Sequence, residues 1–402
     1  MTRLLRARAA IAAFVLACGA HAAFAADTVR PDVGKPLKAA EAALKAGRAK
    51  EALAKISEAD AVPNKTAYES FLIQQMRGSA EHAAGDYAAA VKAFEGVLSS
   101  GKVSGREQLQ LVEALAVDYY KLKEYAKAAQ WAQRYFKDGG TAPAMHTVLL
   151  QSYYLGNDCA SVAKMLGGAS EEGSRKPAEE DLEILRSCYR KEKDDAGYVA
   201  ATERLIIFYP KKEYWTEMLA RVQRKPGFSD RLAVHVYKLR LATGNLASAN
   251  DYMELAQLAL QAGVPSEAKI VMDKGYAAGV LGKGGEAARQ QRLRDLVART
   301  LAESQKSRAQ DERDALAARD GGDLVKVGLN YVYEGQADKG LDLIQKGIKK
   351  GGLKRPEDAK LLLGEAELQA GHKGRAVQTF KTVKGSDGAA DIARLWVLEA
   401  RA

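Results

Sequence analysis

Gly78-Ser79-Ala80-Glu81-His82-Ala83-Ala84-Gly85-Asp86-Tyr87-Ala88-Ala89-Ala90-Val91-Lys92-Ala93-Phe94 is the stretch on which the fold turns. It reads as the end of one helix, a tight turn at Gly85, and a second helix opening at Tyr87. Gly78 and Ala90 are small where two antiparallel helices would cross, because a larger side chain there would hold them apart. The same punctuation recurs at Gly47-Arg48-Ala49 before Glu51-Ala52, at Leu122-Lys123-Glu124-Tyr125 before Lys127-Ala128, and at Gly371-His372-Lys373 before Arg375-Ala376. The first three turns, at 47, 85 and 123, lie 38 residues apart, and Gly335 and Gly371 are separated by 36. A fixed period of this size predicts stacked helical hairpins, each touching only its neighbours.

The composition around these units agrees. The chain has 402 residues, 47% hydrophobic and 28% charged, with only 9 prolines. That is enough apolar material for a large core, supplied mostly by strong helix formers. Alternating strand patterns are missing, which argues against the common enzyme scaffolds.

Further units repeat the offsets. One holds Leu115, Ala116, Tyr119, Tyr125, Ala128 and Tyr135, and another Leu255, Ala256, Ala262, Gly263, Ala268 and Met272. Val327, Gly328, Tyr331, Gly335, Gly340, Ile344 and Gly347 make a third, and Leu363, Gly364, Gly371, Ala376, Phe380 and Val383 the last full one. On these residues the chain resembles an exported bacterial tetratricopeptide-repeat (TPR) protein over about two-thirds of its mature length. The resemblance implies an all-α, right-handed superhelical solenoid of about nine to ten helical hairpins. The helix expected over 389–401 would cap the last hairpin with Leu395, Trp396 and Leu398. Residues 26–274 form the N-terminal array. Residues 275–320 form an irregular glycine-rich loop and a charged helical hairpin, read as a hinge between subarrays, and 321–402 form the C-terminal repeats.

In such repeats the first helix of each hairpin lines a concave groove. Carried onto this chain, the groove positions are Gln75 and His82; Gln110, Glu113, Tyr120 and Lys121; His146, Tyr153 and Tyr154; Asn250, Gln257 and Gln261; and Tyr333. Tyrosines with hydrogen-bonding tips suit a recognition surface. Tyr153, Tyr154 and Tyr333 equally suit packing between neighbouring helices. Trp131, Trp215 and Trp396 read as core or cap.

The first 25 residues read as a leader: Arg3, Arg6 and Arg8, an apolar run from Ala9 to Ala17 too short to span a bilayer, then Ala23-Phe24-Ala25 before a cleavage site. Cleavage after Ala25 makes a soluble periplasmic protein. Val15-Leu16-Ala17-Cys18-Gly19 offers the alternative of a lipoprotein anchored at Cys18. In an oxidising compartment Cys159 and Cys188 are a candidate disulfide, at the turn ends of adjacent units, against the alternative of two small core residues. The formal charge of +10, and +7 without the leader's three arginines, favours anionic envelope partners. The basic run from Lys346 to Arg355 is otherwise a solvated face.

Motifs for chemistry are absent. The histidines beyond the leader, His82, His146, His235 and His372, form no H-E-x-x-H site, and the cysteines no C-x-x-C site. Gly279-Val280-Leu281-Gly282-Lys283-Gly284 lacks the Ser or Thr and the preceding strand of a phosphate loop. No cofactor, metal or catalytic residue is expected, and no nucleic-acid partner. The resemblance implies a non-catalytic protein–protein interaction scaffold that binds an envelope protein or peptide, in envelope assembly, secretion or energised outer-membrane transport. A peptidoglycan- or polysaccharide-binding factor is the alternative.

Overall fold

The computed structural model describes residues 28–167 and 176–402. The expected leader, Cys18 included, lies outside them, as do residues 168–175. Among the described residues there are twenty α-helices and no strand, within the range that nine to ten hairpins and a cap require.

The described residues divide into two compact units, one of 28–167 with 187–193, the other of 176–186 with 194–402. The first unit contains α1 (Pro31–Lys45), α2 (Ala49–Asp60), α3 (Ala67–Ala84), α4 (Tyr87–Ser99), α5 (Gly105–Lys121), α6 (Tyr125–Lys137), α7 (Pro143–Leu155) and α8 (Cys159–Gly167). The halves of α9 (Glu179–Lys191) fall in different units. The second unit holds α10 (Asp195–Phe208), α11 (Lys212–Gln223), α12 (Ala233–Ala242), α13 (Ala249–Gln261), α14 (Pro265–Ala277), α15 (Ala287–Ala317), α16 (Gly322–Tyr333), α17 (Ala337–Lys350), α18 (Pro356–Gln369), α19 (Lys373–Lys381) and α20 (Ala389–Arg401).

Most hairpin turns are made the same way. A residue in the left-handed region ends the first helix, and the next amide reaches back to a carbonyl five residues earlier, as from Asp86 to Glu81, Glu124 to Tyr119 and His372 to Glu367. Gly85 has φ of 82° there, and its follower Asp86 caps α4 by accepting from the Ala89 amide at 3.1 Å. At the equivalent position α5 ends on Lys123, φ 63°. A side chain there costs about 1–2 kcal/mol that glycine avoids, less glycine's own entropy. Lys123→Gly is therefore expected to stabilise the first unit by about 0.5–1 kcal/mol, read as a melting point about 2 °C higher.

The crossings follow a 16-residue rule. A Cβ on Gly78 would meet the Phe94 ring at 2.6 Å, one on Gly364 the Phe380 ring at 2.5 Å, and one on Gly328 Ile344 Cγ1 at 2.7 Å. The small residue thus makes room for the large one sixteen positions on, which fills the core between the helices. Phe94 and Phe380 are both 1% exposed.

Two expectations are corrected. In place of a charged hairpin within 275–320 stands one 31-residue helix, α15. Its sequence contains neither glycine nor proline, so nothing stops it. It is anchored by Leu293 and Val297 against the α13–α14 core, by Ala315 against Leu324 and Tyr331, and by Arg308, which pairs with Glu334 at 3.0 Å. The division into units falls near 174–194 rather than at that segment.

The last helix also does more than cap. Trp396 stacks on Phe380, ring centroids 5.9 Å apart, as a cap would. Ile392, Leu395 and Leu398 also join one core with Leu205, Trp215, Val236 and Leu239 from α10 to α12. Arg231 pairs with Asp358 at 2.9 Å and Asp387 at 2.6 Å, Arg394 with Glu203, and the Ser229 amide donates to the Asp387 carbonyl. The second unit is therefore closed on itself by its C-terminal hairpin.

Candidate partner-binding face

In the first unit the first helices of successive hairpins, α3, α5 and α7, carry most of the expected groove positions. Many of these side chains reach the next such helix. Gln75 is buried and donates to Glu107. His82 Nδ1 lies 2.6 Å from Asp118 Oδ1, the Tyr120 hydroxyl donates to Gln151 at 2.7 Å, and the Tyr154 hydroxyl lies 3.0 Å from Ser187 Oγ. Tyr153 accepts from Gln133. These contacts staple one hairpin to the next, and they use the polar tips that a partner would otherwise meet.

What stays open lies between the staples. Gln110, Glu113 and Lys121 share one face of α5, with the first two half-buried and Lys121 exposed. Burial pushes the Glu113 carboxyl up. His146 is exposed at the edge of α7, its ring against Phe136 at a centroid distance of 4.3 Å.

Asp118 is fully buried, and burial pushes its carboxyl up against the pull of His82. Its Oδ2 has no hydrogen-bond partner. The His82–Asp118 contact joins α3 to α5 of the next hairpin.

Next to this face, Cys159 at the start of α8 is joined to Cys188 of α9 by a disulfide, with Cα atoms 5.2 Å apart.

The second unit treats its share differently. Asn250 and Gln261 of α13 are exposed and Gln257 is half-buried. Tyr333 points inward and donates to Glu267 at 2.9 Å, and burial first, then the Glu267 charge, raises its hydroxyl well above the usual range. It belongs to a buried polar network that sequence reasoning missed. Glu365 of α18 meets His235 Nδ1 at 2.6 Å, Lys238 Nζ at 3.1 Å and Trp396 Nε1 at 3.1 Å. Lys238 also pairs with Glu267 at 2.9 Å. The signal available was Glu365 itself, a charge two residues past the apolar run Leu361-Leu362-Leu363. Its partners came from a helix 127 to 130 residues earlier, which no local spacing reveals.

Among the described residues, no three His, Cys, Asp or Glu side chains are grouped to hold a metal, and no helix is long and apolar enough to cross a membrane.

The turns, the glycine crossings and the 16-residue rule are those of an all-α, tetratricopeptide-type array of helical hairpins. No protein-family model matches the chain, and no curated protein matches it. Among solved structures it is similar to a Naa15/Naa10 complex bound to HypK-THB, at 17% identity and TM-score 0.37, over 87% of this chain and 59% of that one. It is similar to yeast Tom70 at 10% identity and TM-score 0.26, over 92% and 95% of the two chains. A third likeness is to the pentatricopeptide-repeat protein PPR10 in complex with an 18-nt psaJ RNA element, at 14% identity and TM-score 0.29, over 90% and 54%. The chain thus spans about 59% of the first of these. At such scores the likeness carries no weight of its own, and the fold rests on the hairpins themselves.

Proposed function

We propose that this protein is an exported, non-catalytic interaction scaffold of the cell envelope that binds a protein or peptide on the α5–α7 face of its first unit. The observation that carries the reading is the row of side chains left open between the staples of the first unit: Gln110 and Glu113 are half-buried and Lys121 and His146 exposed, on the first helices of adjacent hairpins. Periplasmic location is supported by the leader pattern and by the Cys159–Cys188 bond, which suits an oxidising compartment.

The test is affinity capture from envelope extract with the mature protein, comparing wild type with Lys121→Glu plus His146→Ala. Neither residue is a staple, so the fold should stay intact. A single envelope protein recovered by wild type and reduced at least about tenfold by the double variant is expected, the loss of one or two contacts at a recognition centre. Equal recovery by both proteins would refute this face.

A further inference from the structure

Away from the face just described, α6 carries Lys127, Gln130, Trp131 and Arg134 at i, i+3, i+4 and i+7, so all four lie on one side of that helix. With Glu95 of α4 and Tyr119 of α5 they line an open cleft of about 470 Å³. That size is within the range of small-ligand sites, about 300–1,000 Å³. Tyr119 forms the floor, 4% exposed, with its hydroxyl donating to Glu95 at 2.5 Å. Trp131 is half-buried, unlike Trp215 and Trp396, which are 3% and 5% exposed.

Charge decides what could enter. Lys127 Nζ sits 4.9 Å from the Tyr119 ring centre, and the Arg134 guanidinium 5.2 Å from that of Trp131. Both already have acids, Lys127 with Glu124 at 2.7 Å and Arg134 with Asp138 at 3.4 Å, and Glu95 adds a third. The cleft therefore offers no surplus positive charge to an anion, while its two cations oppose another cation. An aliphatic ligand would strand the polar rim. The remaining pattern is an aromatic floor with Lys127 and Arg134 as donors, Glu95 as acceptor and Gln130 as both. Hydroxyl groups donate and accept in the same way, and the C–H face of a sugar ring packs on an aromatic side chain.

We propose that this cleft binds a neutral oligosaccharide segment packed against the Trp131 indole beside Arg134, with Glu95 and Gln130 as hydroxyl partners. The site goes beyond the protein-binding face and uses none of its residues.

The experiment titrates the full chain with tetrasaccharides of N-acetylglucosamine, β-linked glucose and α-linked glucose, and with a galacturonate tetramer as the acidic control. It follows tryptophan emission, which reports Trp131 because the other two indoles are buried, and calorimetry in parallel. At least one tetrasaccharide is expected to bind with Kd on the order of 0.1–1 mM, an affinity that a shallow site can supply. Binding should hold in about 0.5 M NaCl, since the ligand carries no charge. Trp131→Ala should abolish the calorimetric signal, and Glu95→Gln, which keeps the Tyr119 contact and the packing, should weaken it at least about tenfold. Three results would each overturn the proposal: no binding of any of the three sugars, binding unchanged in both variants, or salt-sensitive binding confined to an acidic tetramer of galacturonate. The Lys121→Glu plus His146→Ala protein should bind the sugar as wild type does, so loss of one activity leaves the other standing.

Discussion

Glu365→Leu is expected to destabilise the second unit by about 3–5 kcal/mol, the cost of removing one partner from a buried charge network. The carboxylate is 3% exposed and takes hydrogen bonds from three side chains on two helices: His235 and Lys238 of α12, and Trp396 of α20. Without it His235 loses its acceptor, the indole N–H is stranded, and Lys238 depends on Glu267 alone. Because α20 closes the unit onto α10 and α12, the damage falls on the joint between the first and last parts of that unit. Urea unfolding followed by tryptophan emission reads it directly, since Trp215 and Trp396 both sit in the affected core. Glu365→Leu combined with His235→Leu should recover part of the loss, because a matched apolar pair leaves no stranded charge between them. A single variant as stable as wild type would show that the network contributes nothing.

Acid should act on the same joint. Burial alone would raise the Glu365 carboxyl, but the His235 and Lys238 charges overcome it and hold it near 2, against an ordinary 4.5. In the first unit Glu69 is likewise lowered to about 2, chiefly by hydrogen bonds from the Arg30 side chain, helped by the Thr66 and Arg30 amides. Both carboxyls release their protons more readily when folded. Their contribution is therefore complete above about pH 4.5 and disappears as the pH falls towards 2. A helical signal that melts across that window, at higher pH in Glu365→Gln, is the expected outcome.

The local half of this architecture was legible and the long-range half was not. Gly85, Gly335 and Gly371 announced their turns because the left-handed backbone there selects for glycine. Between α7 and α8 the left-handed position falls on Asn157, φ 61°, where asparagine does what glycine does elsewhere. Closure of the second unit was invisible, because Arg231 and Asp358 are 127 residues apart and each looks like an ordinary surface charge. The groove positions illustrate a subtler limit. Repeat geometry places His82 and Tyr120 on α3 and α5, but whether a polar tip faces outward or the next hairpin depends on one neighbouring residue, here Asp118 and Gln151. Trp131, read as core or cap, packs partly against the cores of two neighbouring hairpins and also lines a cleft with Glu95 of α4, which lies 36 residues earlier.

Gly340→Ala should destabilise the second unit by about 3 kcal/mol, the upper end of what overpacking costs. The same substitution at Gly96 should do the reverse. At the α16–α17 crossing the backbones themselves touch: a Cβ on Gly340 would lie 2.5 Å from the Gly328 carbonyl oxygen and 2.7 Å from the Val332 amide nitrogen. A Cβ on Gly328 would lie 2.6 Å from the Gly340 oxygen, so the clash is mutual. Main-chain atoms in two hydrogen-bonded helices cannot rotate aside as a side chain can, and relief requires the pair to separate. Separation would unseat Leu341 and Ile344 from the core they share with Val325, Leu329 and Val332. Gly96 lies on the exposed side of α4 with nothing within 4 Å of an added Cβ. There alanine only removes glycine's excess unfolded-state entropy, a gain of about 0.5–1 kcal/mol. Denaturant midpoints of the two variants should therefore move in opposite directions from wild type. Equal shifts, or a Gly340→Ala protein within about 0.5 kcal/mol of wild type, would mean that the two helices do not meet main chain to main chain.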